Sequence, residues 1–583
     1  MSTQPAEGSA ATLLARHAPI LRFNEGEYFL PLSVEAYLGL CELWEHAGPG
    51  ERRRVAARGE LTPDGLADLS RDRPADRYLR LVDVPAGRRA RRIWRRDPDR
   101  PRFRSETRLG RVGVLARTVD ALARLVLLFR GSVPAGSATA AALLDRGRPD
   151  FGDHPYYGRV VDRAGYVVLQ YWYLSAFNDW RSRAHGVNDH EADWEQVTIF
   201  CVPDDGGEPT PRWVAYSAHD EVGADLRRRW DDPDLEVRNG HPVVHVGLGS
   251  HAGAYLPGEY LTVVHAQRVA PVLRLLRRAA AALLPWTRER DLNAGVGIPY
   301  IEYARGDGVV IGEGGDHPWR GVVISDRTPW VWDYEGLWGD DTGDPFGGER
   351  GPAGPRYERD GTVRPSWHDP VGWAALDRLY PTELERRAGI RARMVELEAI
   401  ARDLAEEQTL RRARLRADVA AGEPPSAEEE AALAALAARQ VATTDERREL
   451  DRRLARPPVE PDPHAHLAHR RVPLPTDPPR RRRLLAVWST LSTPLLLTIA
   501  GVLVLTIGDL RTWALPVVFI GILAVEAFVR RRLFAFLVSL LALAVAGLVL
   551  SIGLTYWRPT LAAVLGVLAL FVLAANLAEA RRT

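Results

Sequence analysis

The sequence predicts a multidomain chain: a mainly-β sandwich with inserted helices, then an antiparallel helical hairpin and a four-helix transmembrane bundle. Three observations predict it. Short alternating apolar runs separated by turn residues fill positions 15–378, two capped helix-periodic stretches fill 380–456, and four apolar stretches crowd into 484–579. Residues 1–14 are small and polar and are expected to be disordered, while 457–483, rich in Pro and Arg, read as an extended tether.

The β region is justified first. Strand-sized alternating runs at 166–173, 194–202, 212–217 and 242–247 follow one another at close spacing with Gly and Pro between them, the pattern of a sandwich. Two insertions, 111–129 and 269–284, are Ala/Leu-rich or amphipathic and read as helices packed on the sandwich in preference to a membrane surface.

The helical hairpin follows. Thr382 and Glu385 have the spacing of a capping box, and Ile390, Met394, Leu397, Ala401 and Leu404 repeat at intervals of four and three, a coiled-coil rhythm. A break at Gly422-Glu423-Pro424-Pro425 precedes a second box, Ser426 with Glu429, and a second helix ending near Leu454. His464, His466 and His469 fall in the tether, where without a fixed scaffold they read as incidental.

At the C-terminus, apolar stretches at 484–507, 513–529, 533–557 and 560–578 are each near the roughly 20 residues that cross a bilayer. Arginines at 480–483, 530–532 and 581–582 alternate with poorer loops holding Arg511 and Arg558. The positive-inside rule therefore puts both termini and the soluble region in the cytoplasm of a multi-pass cell-membrane protein. Glu526 lies near the cytoplasmic end of the second span, where it is expected to snorkel or pair with the neighbouring arginines. The spans read as an anchor, with Gly547 and Gly566 offering small-residue surfaces for a homo-oligomer.

Composition excludes several classes. A net charge of +1 gives no pull toward nucleic acid, and the 77 basic residues, all arginine, reflect a GC-rich genome. The basic run at 88–111 reads as a solvated loop. Cys41 and Cys201 stand too far apart in sequence for a zinc-finger spacing or a disulfide framework, and Cys201 reads as a small apolar core residue. There is no phosphate-cradling Gly-Lys-Ser/Thr loop and no dinucleotide fingerprint. Positions 1–15 lack the basic-then-apolar order of a signal peptide.

The candidate site is Asn188-Asp189-His190-Glu191-Ala192-Asp193-Trp194-Glu195, which opens into a strand. In an extended chain Asp193 and Glu195 share one face while Trp194 points to the other, so two carboxylates can converge on an ion as the indole enters the core. His190 can bend in as a third ligand and Asp179 can supply a fourth from the preceding strand. Oxygen-rich ligands with one imidazole favour a divalent cation such as Mg²⁺, Ca²⁺ or Mn²⁺, with Mg²⁺ or Ca²⁺ expected here.

A wider resemblance runs through Ala18-Pro19-Ile20-Leu21-Arg22-Phe23, Tyr28-Phe29-Leu30-Pro31, Tyr171-Trp172-Tyr173, Asn178-Asp179-Trp180 and the acidic stretch. It continues through Ala215-Tyr216-Ser217-Ala218-His219, His241-Pro242-Val243-Val244, Gly249-Ser250-His251-Ala252, Gly336-Leu337-Trp338-Gly339 and Gly351-Pro352-Ala353-Gly354-Pro355. In this order the blocks resemble the vacuolar protein sorting-associated protein 62 family over residues 15–375. More distantly they are similar to the necrosis-inducing, cytolysin-like proteins, marked by Gly-His-Arg-His-Asp-Trp-Glu. That resemblance implies a β-sandwich whose divalent cation sits on Asp179, His190, Asp193 and Glu195, with His219 nearby. Ala192 replaces the second His of the heptapeptide and Asp189 its leading Gly.

Three functions are compatible with one residue set. The leading one is a cytoplasmic, membrane-anchored module whose cation coordinates a polar ligand such as a lipid headgroup or glycan. The second is a metal-dependent hydrolase in which His219 or His251 shuttles protons. The third is a scaffold or trafficking protein with a structural ion. Ser250 and His251, adjacent in sequence, point apart and do not form a nucleophile–base pair. Asp307, Glu313, Asp316 and His317 lie among glycines at 305–319 and read as turn-formers.

Overall fold

Seven of the thirteen residues at 166–178 are β-branched or aromatic and three more are Leu or Ala, which suits a strand buried on both faces. In the computed structural model they form the strand Tyr166–Asn178. The structure describes residues 7–48, 50–71, 76–94, 96, 102–103, 113–114, 117–118, 121, 135–145, 153–184, 189–204, 206–218, 223–265, 297–340, 351–376, 383–422, 427–455, 463–464, 466–467, 469–506 and 511–580.

That strand lies inside a six-stranded sheet ordered Trp319–Val323, His154–Arg163, Tyr166–Asn178, His190–Pro203, Pro209–Tyr216 and Arg227–Arg229. Every neighbour pair is antiparallel except the first, which is parallel. A second sheet, of five strands, runs Val237–Arg238, His241–Val246, Ile20–Arg22 and Val310–Ile311, with Gly253–Ala254 also paired to His241–Val246. Ile20–Arg22 runs parallel to His241–Val246, which draws the start of the chain against a strand far along it. A three-stranded sheet (Glu51–Ala56, Glu42–Gly48, Arg77–Arg80) and a hairpin of Gly258–His265 with Gly297–Ala304 complete the β structure among the described residues.

Strand alternation sorts the core. Tyr171, Tyr173, Val197 and Ile199 cluster with Leu21, Val244, Val246 and Ile311 of the second sheet. On the opposite face Trp172, Leu174 and Trp194 join Tyr37, Leu38, Trp330 and Trp338. Trp194 stacks on Trp330 at 6.0 Å and meets Trp338 edge-on at 5.1 Å. Aromatic pairs of this kind add about 0.5–1.5 kcal/mol beyond their burial.

The start of the chain differs from expectation. Within the 1–14 stretch read as disordered, the described residues begin a helix, Glu7–His17, that buries Ala10 and Leu14. The Leu14 carbonyl accepts the Tyr171 hydroxyl at 2.9 Å. The apolar face of this helix rests on Ala10, Leu13 and Leu14, too few residues over too short a stretch to show a helical period. Of the two insertions read as helical, 269–284 lies outside the described residues and 111–129 is described only at 113–114, 117–118 and 121.

Helices Glu383–Ala420 and Ala427–Ala455 pair antiparallel, with Arg393 bonded to Glu446 at 2.9 Å and Arg387 to the Leu454 carbonyl at 3.0 Å. Ile390, Leu397, Leu404 and Leu436 are their buried apolar residues. The expected caps Thr382 and Ser426 lie outside the described residues. The tether has no helix or strand in its described part up to residue 478, but it runs along the β region: Leu474 donates its N–H to the Glu259 carbonyl at 2.7 Å and Arg471 pairs with Glu302 at 2.5 Å.

Apolar helices Pro479–Thr506, Arg511–Val529, Leu533–Thr555 and Trp557–Ala580 follow. Three of these, over Pro479–Leu503, Leu533–Thr555 and Trp557–Leu577, are long and apolar enough to cross a membrane. Among the described residues the remaining apolar helix, Pro516–Val529, is shorter, as its place in the shortest of the four expected spans, 513–529, requires. Large apolar side chains such as Leu541 and Phe571 lie exposed along them, as association with a membrane requires. Glu526 pairs with Arg530 at 2.5 Å, and also with Arg117 at 2.9 Å and the Trp488 indole, so its partners reach beyond the neighbouring arginines expected.

Candidate metal centre

The site is built where Tyr166–Asn178 ends and His190–Pro203 begins. Antiparallel pairing sets Asn178 opposite His190, Ser175 opposite Asp193 and Tyr173 opposite Glu195. In a regular strand residues three apart face opposite ways, so His190 and Asp193 would diverge. Ala192, at φ +56°, breaks the alternation, and the His190 Nε2 comes 4.0 Å from Asp193 Oδ1. His190 Nδ1 contacts the Ala192 carbonyl at 2.6 Å. A donor role there fixes the tautomer that leaves Nε2 free to ligate.

Asp179 follows directly, at the start of the short helix Trp180–Ala184, and donates its N–H to the Gly249 carbonyl at 3.0 Å. Two glycines wall it in. A Cβ on Gly249, itself at φ +69°, would fall 2.1 Å from Asp179 Oδ1, and one on Gly136 would fall 2.2 Å from the Asp179 Cβ. The side chain is fully buried, yet neither carboxylate oxygen has a hydrogen-bond partner; Arg183 Nη1 stands 3.6 Å away. Burial pushes this carboxyl well above the usual range, with Arg183 opposing and Glu27 and Asp189 adding to the rise.

Asp193 Oδ2 accepts from the Asn178 amide at 3.0 Å and from His251 Nδ1 at 2.8 Å. His251 is fully buried and its Nε2 has no hydrogen-bond partner, facing Glu27 Oε1 at 4.0 Å. Burial pulls the imidazole pKa down, but the Asp193 hydrogen bond and the charges of Asp193, Glu27 and Asp179 outweigh it and hold it at about 9. Ser250 turns away to Glu302 at 2.5 Å, so the adjacent Ser250 and His251 do diverge. Glu195 bonds the Ser217 hydroxyl, two residues before His219, which itself lies outside the described residues.

Sequence reasoning missed two carboxylates. Glu27, on a turn closed by Gly26 at φ +85°, accepts the N–H groups of Tyr28 at 2.7 Å and Gly249 at 3.0 Å, and lies 3.7 Å from Arg183. Its only sequence signal is an acid after a turn glycine inside an otherwise apolar, aromatic block. Glu191 is fully buried and accepts the N–H groups of Leu81, Val82 and Asp340 at 3.0, 2.9 and 3.1 Å. Burial raises its pKa to about 7 against those three bonds. It fastens the three-stranded sheet to the site strand. Asp189 accepts the Ser182 N–H at 2.9 Å and so braces the helix after Asp179.

The arrangement is acid-rich: Glu27 and Asp179 face the Arg183 guanidinium, Glu27 and Asp193 face the His251 imidazole, Asp193 also faces His190, and Glu195 bonds the Ser217 hydroxyl. Arg183 lies flat on Tyr28 with its Cζ 3.2 Å from the ring centroid. A separate cavity of about 500 Å³, lined by Leu14, Tyr156, His241, Glu313 and Trp319, includes none of the four expected ligands. The 305–319 loop contributes Glu313 there, and Asp316 closes a turn by accepting the Val310 N–H at 2.8 Å.

Comparison with known proteins adds little to this geometry. No family model matches the chain and no curated protein matches it, so the expected resemblance to the vacuolar sorting family gains no support. A solved structure, Necrosis and Ethylene inducing Protein 2 from the causal agent of cocoa's Witches Broom disease, is similar at 20% identity over 20% of this chain and 46% of its own, with a TM-score of 0.15. The chain thus spans less than half of that protein. At that TM-score the likeness carries no argument about fold or function.

Proposed function

We propose that this end of the sheet holds a divalent cation, Mg²⁺ or Ca²⁺, on Asp179, His190, Asp193 and Glu195, and offers it to a polar ligand such as a lipid headgroup or glycan. The observation that carries this reading is Asp179: a fully buried carboxylate with no hydrogen bond to either oxygen and Arg183 no nearer than 3.6 Å. Such a group is costly in an apolar interior and is made stable by a bound cation. His190 Nε2, held toward Asp193 by the Ala192 turn, supplies the imidazole. The apolar C-terminal helices keep the module at a membrane, with the β region on the cytoplasmic side by the arginine pattern and with homo-oligomers formed through Gly547 and Gly566.

The test is calorimetric titration of the detergent-purified chain, stripped by chelator, with Ca²⁺ and Mg²⁺, beside Asp179→Asn and Glu195→Ala. Saturable binding that both variants lose supports the site. Binding absent from a folded wild type, or unchanged in both variants, refutes it.

One observation favours catalysis as the second reading. His251 is oriented by Asp193 and its Nε2 has no hydrogen-bond partner, the form of an oriented proton shuttle. A metal-dependent hydrolase would lose turnover on vesicle-borne ester substrates when His251 is replaced by Gln while still binding the cation. A binding module has no turnover to lose.

A further inference from the structure

A second acid–histidine cluster lies at the far edge of the six-stranded sheet. Asp232 and Asp234 follow the edge strand Arg227–Arg229, and His464 returns to them 232 residues further along the chain. Its Nε2 lies 2.9 Å from Asp232 Oδ1 and 3.3 Å from Asp234 Oδ2. One ligand atom from each of the three falls within 4.8 Å of the others. None of the three belongs to the Asp179 site, so a role for this cluster is independent of cation binding there.

A bare ion-pair network leaves something unexplained. Asp232 Oδ1 already accepts both His464 and the Asp234 N–H, the latter at 2.8 Å. Its Oδ2, on a side chain with no exposure, has no hydrogen-bond partner. Proton transfer to His464 strengthens the Oδ1 contact and does nothing for Oδ2. Asp234 is held by the guanidinium fork of Arg470 at 2.8 and 2.6 Å, which fixes its carboxylate plane and leaves lone pairs turned toward His464.

We propose that Asp232, Asp234 and His464 bind a divalent transition-metal ion, best matched by Zn²⁺, which clasps the membrane tether to the edge of the β region. One imidazole nitrogen and two carboxylate oxygens, with water in the fourth position, suit a small tetrahedral ion; Ca²⁺ asks for six to eight oxygens. Arg470 acts from outside the ligand set, orienting Asp234 as outer hydrogen bonds orient ligands in metal sites. Its charge beside the ion weakens the site.

The clasp closes one end of a strap. Beyond it His466 sits edge-on to Trp213 at 5.2 Å, His469 meets Asp225 at 3.0 Å, Arg471 meets Glu302, and Leu474 bonds the Glu259 carbonyl. An ion at His464 fastens this strap upstream of the first apolar helix.

The test uses the full chain in detergent, stripped by chelator and titrated with Zn²⁺ alone. Two readouts are taken: zinc bound per chain, and the rate of tryptic cleavage at Arg470 and Arg471 with zinc against chelator. His464→Gln keeps a donor for Asp232 but removes the ligating nitrogen; Asp232→Asn removes a ligand charge. Wild type is expected to bind zinc and to be cleaved more slowly in its presence, both variants to lose that zinc and that protection, and Asp193→Ala to retain both. Equal zinc uptake by wild type and His464→Gln overturns the proposal, as does cleavage of wild type that ignores zinc. Loss of zinc in Asp193→Ala alone assigns the ion to the other site and overturns it equally.

Discussion

His251 and Asp193 meet through one hydrogen bond, Nδ1 to Oδ2 at 2.8 Å, with the imidazole fully buried and its backbone at φ +53°. Replacing His251 by Ala leaves Asp193 buried with the Asn178 amide as its hydrogen-bond donor and the His190 imidazole 4.0 Å away. Breaking one partner of a buried charge pair costs about 3–5 kcal/mol. Chemical denaturation of His251→Ala in chelator is expected to show a loss in that range, and a loss under about 1 kcal/mol would mean that the pair is no electrostatic anchor.

Asp179→Asn should divide stability from binding. In chelator the variant removes a buried carboxylate that has Arg183 at 3.6 Å but no hydrogen bond to either oxygen, so its melting temperature is expected to equal or exceed that of wild type. At a cation concentration 100 times the dissociation constant, wild type should gain about 2.7 kcal/mol and the variant almost none. Thermal melts with and without Ca²⁺ or Mg²⁺ read both effects, and a variant that is destabilised in chelator yet still cation-responsive contradicts the assignment.

Gly249→Ala is expected to be severe. The new methyl would lie 2.1 Å from Asp179 Oδ1 on a backbone at φ +69°. Left-handed strain and local overpacking together cost roughly 2–4 kcal/mol. Gly50→Ala, at φ +80° with nothing within 4 Å, is the control that carries the strain without the clash. Equal effects at the two positions would show that the fit around Asp179 is loose.

Acid should weaken the β region through His245, which burial, with Arg22 nearby, pushes down to about 4 from the usual 6.5. Below pH 6.5 the unfolded chain takes up this proton while the folded chain refuses it until about pH 4. The stability present above 6.5 is therefore lost as pH falls through that window, by up to about 3 kcal/mol. Denaturation between pH 7 and pH 4 should be less steep in His245→Leu, since that variant has no proton to gain. An unchanged slope would mean that His245 is protonated in the fold.

What could be read from the sequence was what depends on near neighbours. The opposite facing of Trp194 from Asp193 and Glu195 needs only the two-residue period of a strand, and the apolar helices need only length and composition. His251 is legible as a candidate of the site, but Glu27 is not legible as its partner, because the two meet only once Ile20–Arg22 has paired in parallel with His241–Val246. The bend at Ala192 was equally hidden, since Ala carries no mark of a left-handed backbone as Gly does. His464 was set aside for lack of a scaffold, and the scaffold turned out to be an acid pair lying 232 residues earlier.

The pairing of Ser175 with Asp193 and Leu174 with Trp194 has a consequence for how the chain reaches its native state. A slip of one residue between these strands exchanges the two faces. It would drive Asp193 and Glu195 into the cluster of Trp330 and Trp338 and turn an indole toward Asp179. A mispaired chain is thus penalised twice, by charge forced into a greasy core and by aromatic surface stranded among acids. The same two carboxylates proposed as ligands also proofread the strand pair that carries them.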